Sequence, residues 1–599
     1  MKRYIIILIV SFVISIILDL SCKKSILDTN PYDTFTDNVV WSSRANADAF
    51  VYGAYSSIVF GLYSSNIELD CYTTNSIDNA GTAVTREAIT TANDFGFNKF
   101  PQIRMCNMII SNASNSTALT DLDKTQLISE GHFLRAMTYF WLAKRFGRIV
   151  WVDHLIPIDT NSFALPLETV SSTWQKIMSD CDAAIAGLPK TSLSGRANRY
   201  AAFALKSFVG LQAAAYTNDA SYFQKVNDAC DSIILTGGYK LDPDYEGLFN
   251  ERGRYSAEHI LGVYESATNY VCNQCNDMQT VVPNVTNNQI EAHGSSPLFA
   301  TNLQIFGAWG ARAPAQNLVD DYLVIDNATG KAVRWDQSTQ FTSNVTKVTG
   351  TDPNAIDAGN VTGTGRINDI MYNNRDKRFA ASIVYDSCMW FNQLCTTCQL
   401  GNLNRMVYGG LSSCCLPCTN YFWRKGVYDV PTRVYVHVPT DYHWVVFRLG
   451  MIYLNKAEAL LGLNRIPEAV TALNVTRTLH GGLPPATATT SAQVWTDYKR
   501  ERRVELAKEG EGDYYFSLLR WGLYGNDANS GRGPGAKIAE LEVPATFIDI
   551  TKNRKHYEVI NCTYLNNNIR IFDNTRRYLF PIPQAMIVRN PNLTQNPGW

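Results

Sequence analysis

Two Cys-x2-Cys pairs, Cys395/Cys398 and Cys415/Cys418, stand with sixteen residues between them. Four thiolates at that spacing can close a tetrahedral zinc site of the ribbon kind. Cys272, Cys275, Cys388 and Cys414 crowd the same stretch. In an oxidising compartment these thiols would become disulfides instead, and the spacing suits either chemistry. "CMWFNQLC" sets Trp390 and Phe391 between two of the cysteines. Flat rings beside amides match the C–H faces and hydroxyls of a sugar, so this loop is a candidate ligand contact. Burial against a disulfide is the competing use of the same rings.

Other reactive patterns are missing. The chain has no G-x-S-x-G elbow, no H-E-x-x-H pair and no Walker loop. Its 54 acidic residues leave a secreted glycosidase, with two carboxylates flanking a cleft, as the enzyme alternative. Arg500, Arg502, Arg503, Glu505 and Glu509 form a conspicuous charged cluster. Guanidinium is no general base, and i, i+3 and i, i+4 pairing explains the cluster as helix support. The net charge of −1 provides no field to hold nucleic acid or an acidic membrane surface.

The elements that must position these residues are mainly helical. From Trp41 to Val263 apolar residues recur at helical spacing, as in "EGHFLRAMTYFWLAKRFG", where Phe133, Met137, Phe140 and Trp141 share a side and Gly147 caps the end. "RLGMIYLNKAEALLGLNRIPEAVTALN" places Ala457 and Ala469 twelve apart across a Gly462–Pro467 turn, with Leu460 and Leu473 at the large positions. Small residues let two helices approach and large ones fill the groove, the logic of a tetratricopeptide pair, here over 443–480. Between 266 and 440 helical runs give way to Asn, Thr, Gly, Cys and aromatics, which predicts a loop-rich insertion with short strands. The expected organisation is a leader over 1–21, a helical scaffold over 22–265, the insertion, a resumed scaffold over 441–525, and an irregular, docked C-terminal segment over 526–599.

Lys2 and Arg3 precede an apolar run from Tyr4 to Leu18, followed by Ser21-Cys22. This predicts a secretory leader with a bacterial lipobox, whose Cys22 would be acylated. More than one acyl chain holds a protein stably at a bilayer. Removing Cys22 leaves 14 − 1 = 13 cysteines, so at least one lacks an intrachain partner.

Seven stretches in order then carry a resemblance: "SCKKSILDTNP", "GHFLRAMTYFWLAKRFG", "WGARAPAQNLVDDY", "NNRDKRFAASIVY", the tetratricopeptide-like pair, "RERRVELAKEGEGDYYFSLLRWG" and "YLFPIPQAMIVRNPNLTQNPGW". Along nearly the whole chain they resemble the SusD/RagB-like outer-membrane nutrient-binding lipoproteins of Bacteroidetes. The resemblance implies a mainly α fold, a tetratricopeptide-like superhelix with the ligand site on its less regular part. It implies a lipid anchor in the outer membrane, facing outward, and a TonB-dependent SusC-like porin as partner. The ligand would be an oligosaccharide, less often a peptide, passed on without chemistry and without a cofactor. The family's site lies between an early loop and the insertion. Here that points to Tyr72, Asn75 and Asp78 in "ELDCYTTNSIDNAGT" and to Trp309 in "FGAWGARAP". Trp309 stands among Gly307, Ala308 and Gly310, where a ring can project to ligand or fold under the insertion as a hinge. A pure scaffold that binds peptide tails is the third reading, less suited to so large an aromatic insertion.

Overall fold

The computed structural model describes residues 37–63, 67–157, 164–266, 280–282, 310–405, 418–428, 441–524, 537–564 and 569–599. The leader with Cys22, and also Trp309, Cys272, Cys275, Cys414 and Cys415, lie outside them.

The long helices are α1 (Arg44–Tyr55), α2 (Phe100–Asn115), α3 (Asp121–Phe146), α4 (Val170–Gly187), α5 (Arg199–Thr217), α6 (Ser221–Thr236), α7 (Leu449–Gly462), α8 (Ile466–Leu479), α9 (Ser491–Leu506) and α10 (Asp513–Tyr524). Several starts carry oxygen caps: Thr120 accepts from Asp123 N, Thr169 from Ser172 N, and Asn198 from Tyr200 N and Ala201 N. From α2 to α9 each helix packs on the next, as a tetratricopeptide-like stack should. The insertion leaves the chain between α6 and α7, yet those two helices are neighbours. Gly462 makes the approach possible, since a Cβ there would lie 2.5 Å from the Phe223 ring. The stack and the C-terminal tail share one hydrophobic core, which includes Trp174, Leu205, Ile452, Leu460, Trp521 and Phe580.

Apart from four further two-residue strands in the insertion, the strands among the described residues are β1 (Ser76–Asp78), β2 (His259–Tyr264), β3 (Arg312–Pro314), β4 (Val345–Lys347), β5 (Ala355–Val361), β6 (Met389–Trp390), β7 (Gln393–Leu394), β8 (His443–Arg448), β9 (Thr546–Ile550) and β10 (His556–Asn561), all of them short. Two departures from the sequence expectation follow. The 443–480 unit opens as strand β8, paired antiparallel with β2 through His443↔Tyr264 and Trp444↔Val263, so the insertion is pinched at its neck. The C-terminal segment is not wholly irregular either. Its β9–β10 hairpin joins β5 and β4 in a four-stranded antiparallel sheet of order β9-β10-β5-β4. A second core, with Trp335, Phe379, Trp390, Trp423, Ile548 and Tyr557, fills the space behind it.

The tail docks as its apolar residues require. Phe580 N donates to Arg145 O at 2.8 Å, Asn596 Nδ2 to Phe146 O at 3.0 Å, and Trp599 Nε1 to Leu579 O at 3.0 Å. Gly147, at φ 73°, ends α3 in the left-handed region, and a Cβ there would meet Leu579 at 2.8 Å.

A buried ionic network on the scaffold takes in two cations from the insertion, Arg378 and Lys425. Arg448 donates to Glu258 at 2.9 Å, to Glu505 at 2.7 Å and to Glu509 at 2.6 Å. Arg378 of the insertion bonds Asp376 at 2.7 Å, Glu505 at 2.8 Å, and Glu501. His480 Nδ1 lies 2.7 Å from Glu505, and Lys425 pairs with Glu509. Burial disfavours the charge on His480, but the Glu505 and Glu258 carboxylates outweigh it and raise its pKa to about 9. Glu258 is likewise opposed by burial, yet His480 and Arg448 bring it down to about 2. The charged cluster on and just after α9 is therefore structural, with Arg500 paired i, i+3 to Asp497 as expected and the other members bonded mainly beyond their own helix. Arg502 reaches Asp513 at 2.9 Å, and Arg503 and Glu505 reach partners outside their own helix.

Candidate ligand-binding site

The early loop and the insertion meet through β1 and β3. Ser76 pairs with Pro314, Ile77 with Ala313, and Asp78 with Arg312. Ile77 is fully buried against Ala315, Cys418, Phe547 and Cys562, which seats the two-stranded patch on the sheet. At the outer end Arg312 Nε donates to Asp78 Oδ2 at 2.8 Å, and Asn79 N donates to Ala311 O at 2.9 Å. Gly81, at φ 65°, turns the loop, and Arg86 Nη1 donates to Ala80 O at 3.2 Å. The chain running back from β3 leads directly to Trp309. Asp78 with its neighbours Asn79 and Arg86, and Arg312 opposite, form a half-exposed corner of carboxylate, amide and guanidinium. Such groups hydrogen-bond hydroxyls. Glu68, 3.8 Å from Arg312, is the other acid here, so both carboxylates serve one guanidinium.

The remaining sequence candidates sit deeper. Tyr72 is buried with its ring edge-on to Tyr515, 5.4 Å between centroids. Asn75 is fully buried. Its Nδ2 donates to Asp70 at 3.0 Å, and its Oδ1 accepts from Arg503 Nε at 2.8 Å. Burial lifts Asp70 to about 7, against the lowering effects of Asn75 and Lys425. Arg503 also donates to Thr74 at 2.9 Å and pairs with Asp321 at 2.7 Å. One side chain on α9 therefore ties scaffold, early loop and insertion together, and Tyr72 and Asn75 shape the loop from beneath.

Trp390 and Phe391 are buried rings rather than open contacts. β6 and β7 form a hairpin whose central residues, Phe391 and Asn392, have φ 47° and 59°, a turn matched to strand twist. Trp390 is 1% exposed and lies over Phe422, with ring centroids 6.2 Å apart; Phe391 packs beside it. The hairpin instead exposes Met389 and Leu394. Cys388 and Cys395 face one another across it, with Cys395 N donating to Cys388 O at 2.8 Å. Cys388, Cys395 and Cys398 are buried free thiols, as is Cys562, which the spacing argument missed; Cys418 is buried as well. Among the described residues no group of three or more Cys, His, Asp or Glu is arranged to hold a metal. Arg312 and Arg86 were missed as well. The signal for Arg312 was its place three residues after Trp309, and reading it needed the β1–β3 register.

Comparison with known proteins fits this architecture. The chain superposes on a solved SusD-like protein of Bacteroides fragilis with a TM-score of 0.71 at 23% identity, covering 95% of this chain and 100% of that one. A SusD-like carbohydrate-binding protein of the same species gives 0.67 at 19%, covering 93% and 100%. Surface glycan-binding protein A of Bacteroides uniformis gives 0.59 at 17%, covering 92% and 99%. At such identities the likeness establishes the fold. Residues 276–599, more than half of the chain, match the SusD family model. Residues 27–211 match a second model described as starch-binding, associating with the outer membrane. The chain belongs to the SusD family. A curated SusD-like protein of Bacteroides ovatus is 23% identical over 167 residues, a match covering 27% of this chain and 30% of that relative.

Proposed function

We propose that this protein is an outer-membrane lipoprotein, anchored through Cys22 and facing the cell exterior. It captures oligosaccharides at the corner between β1 and β3 and hands them to a TonB-dependent SusC-like porin without altering them. The observation that carries this reading is the Asp78–Arg312 pair. It locks the early loop onto the insertion three residues after Trp309 in sequence and leaves hydrogen-bonding groups of the kind pyranose hydroxyls need, with the Trp309 ring as the proposed apolar partner. Both acids at the corner are tied to Arg312, an arrangement for holding hydroxyls rather than for splitting a glycosidic bond. Family membership and the names of the solved relatives point the same way. A sugar face on one ring contributes about 1.5–2 kcal/mol, so a few rings give weak, releasable binding.

The test is retardation of the mature, unlipidated protein in native gels containing laminarin, starch, xylan or mannan, with Trp309→Ala and Arg312→Ala alongside. Retardation on one polysaccharide, lost in both variants and without released sugar, is the expected result. Retardation unchanged in both variants would move the site elsewhere. Released sugar would establish the enzyme alternative. Failure on every glycan together with peptide affinity would assign the corner to peptides.

A further inference from the structure

A cavity of about 520 Å³ lies away from that corner, where the docked tail meets the start of α2. Its walls are mostly apolar: Phe100 and Ile103 from α2, Val152 and Ile156 from the segment after α3, and Met586 and Leu593 from the tail. The walls are held apart by hydrogen bonds. Asn107 Nδ2 donates to Val152 O at 3.0 Å and His154 O at 3.1 Å, while its Oδ1 accepts from Arg135 at 2.8 Å. Asn590 Nδ2 donates to Leu165 O at 2.8 Å and fixes the tail across the hollow. Interiors normally fill such space, and a preformed apolar hollow of this size is what a small-molecule site looks like.

The lining says which molecule. A pyranose needs several flat rings and many hydrogen-bonding groups, whereas this lining offers Phe100 among branched and thioether side chains, which suit a flexible hydrocarbon chain. None of the lining residues is acidic; Arg104 and Arg589 are basic and exposed, while His154 lies 3.0 Å from Asp153, an acid just outside the lining. Arg104 donates one hydrogen bond, to Ile156 O at 3.2 Å, and neither it nor Arg589 is paired to an acid among the described residues. We propose that this cavity binds a free long-chain fatty acid, its chain between α2 and the tail and its carboxylate at Arg104 and Arg589. The site is separate from glycan capture and would give the docked tail a second purpose.

The probe is cis-parinaric acid, a fluorescent fatty acid, titrated into the mature full-length protein and displaced by hexadecanoate or hexadecanol. Saturable one-to-one binding is expected, with the acid displacing at least about tenfold better than the alcohol, the difference a charged hydrogen-bonded head group makes. The exposed double variant Arg104→Ala/Arg589→Ala should erase that preference while keeping its glycan-gel behaviour. Met586→Trp should fill the hollow and abolish binding. Absence of saturable binding, equal displacement by acid and alcohol, or a preference that survives in the double variant would each overturn the proposal.

Discussion

The packing of α5, α6 and α7 and the seam between scaffold and insertion are built largely from different materials. Between α5 and α6, and between α6 and α7, the buried contact is made by small and apolar residues, with a half-buried Lys456–Asp231 ion pair added between α6 and α7. Gly210 lies where a Cβ would stand 2.5 Å from Val226, and Gly462 lies against Phe223. Such packing is cohesive, but a neighbouring set of ridges and grooves would satisfy it nearly as well. Between scaffold and insertion the contact is Arg378 and Lys425 against Glu501, Glu505 and Glu509, with Arg448 and His480 holding Glu505 and Glu509 from the scaffold side. Buried ions cost desolvation and add little net stability, but they tolerate few alternative arrangements. We infer that the insertion is held in one orientation because the corner at β1 and β3 exists only when early loop and insertion are in register. Arg503 extends the same logic to within one residue of β1, through Asn75.

The largest effect should come from removing the acid that most partners share. Glu505→Ala leaves Arg448, Arg378 and His480 facing an empty carboxylate site, and the cost should be about 3–5 kcal/mol in urea unfolding. If the two interfaces differ as described, limited proteolysis of this variant should cut the insertion while α2–α6 stay whole. A cost below about 1 kcal/mol, or uniform digestion, would show that the ions do not hold the insertion.

Acidity probes the same interface without mutation. His480 is raised from 6.5 to about 9, so its contribution is complete below pH 6.5 and is lost as pH rises through 9. Glu258 is lowered from 4.5 to about 2, so its contribution is complete above pH 4.5 and is lost as pH falls through 2. Both are whole between about pH 4.5 and 6.5, and each loss should amount to roughly 2–3 kcal/mol. Urea midpoints measured from pH 2 to 10 should peak in that window. Protease sensitivity of the insertion should rise on both sides of it, with the helix stack responding less.

The two interfaces also differ in how readable they were. The helix pairs announce themselves through period and through the Ala457/Ala469 spacing, because each helix's partner is the next one in the chain. The ionic interface joins residues from Glu258 to Glu509, and no local pattern says that Arg448 faces all three of its carboxylates. The same distance hides the β2–β8 clamp and the β9–β10 hairpin's place beside β5. For the candidate site, the resemblance pointed to an early loop and the insertion, and these two segments meet through Asp78 and Arg312. Which side chains face outward was not legible. Burial of Asn75 depends on Arg503, more than four hundred positions away, and burial of Trp390 depends on Phe422 across a fold.

The smallest effects separate close packing from mere helix content. Gly53 lies exposed inside α1, and a methyl group added there would have nothing within 4 Å, whereas Gly462 ends α7 with the Phe223 ring at 2.5 Å. Glycine disfavours a helix interior relative to alanine by about 0.8–1 kcal/mol, so Gly53→Ala should stabilise by up to that amount. Gly462→Ala gains part of the same preference near a helix end but drives its methyl group into an aromatic ring. Overpacking of this kind costs about 1–3 kcal/mol. The two substitutions should therefore move the urea midpoint in opposite directions. If both stabilise, the α6–α7 contact yields more readily than the distance implies, and the cohesion assigned to the apolar interface would have to come from the β2–β8 clamp beneath it.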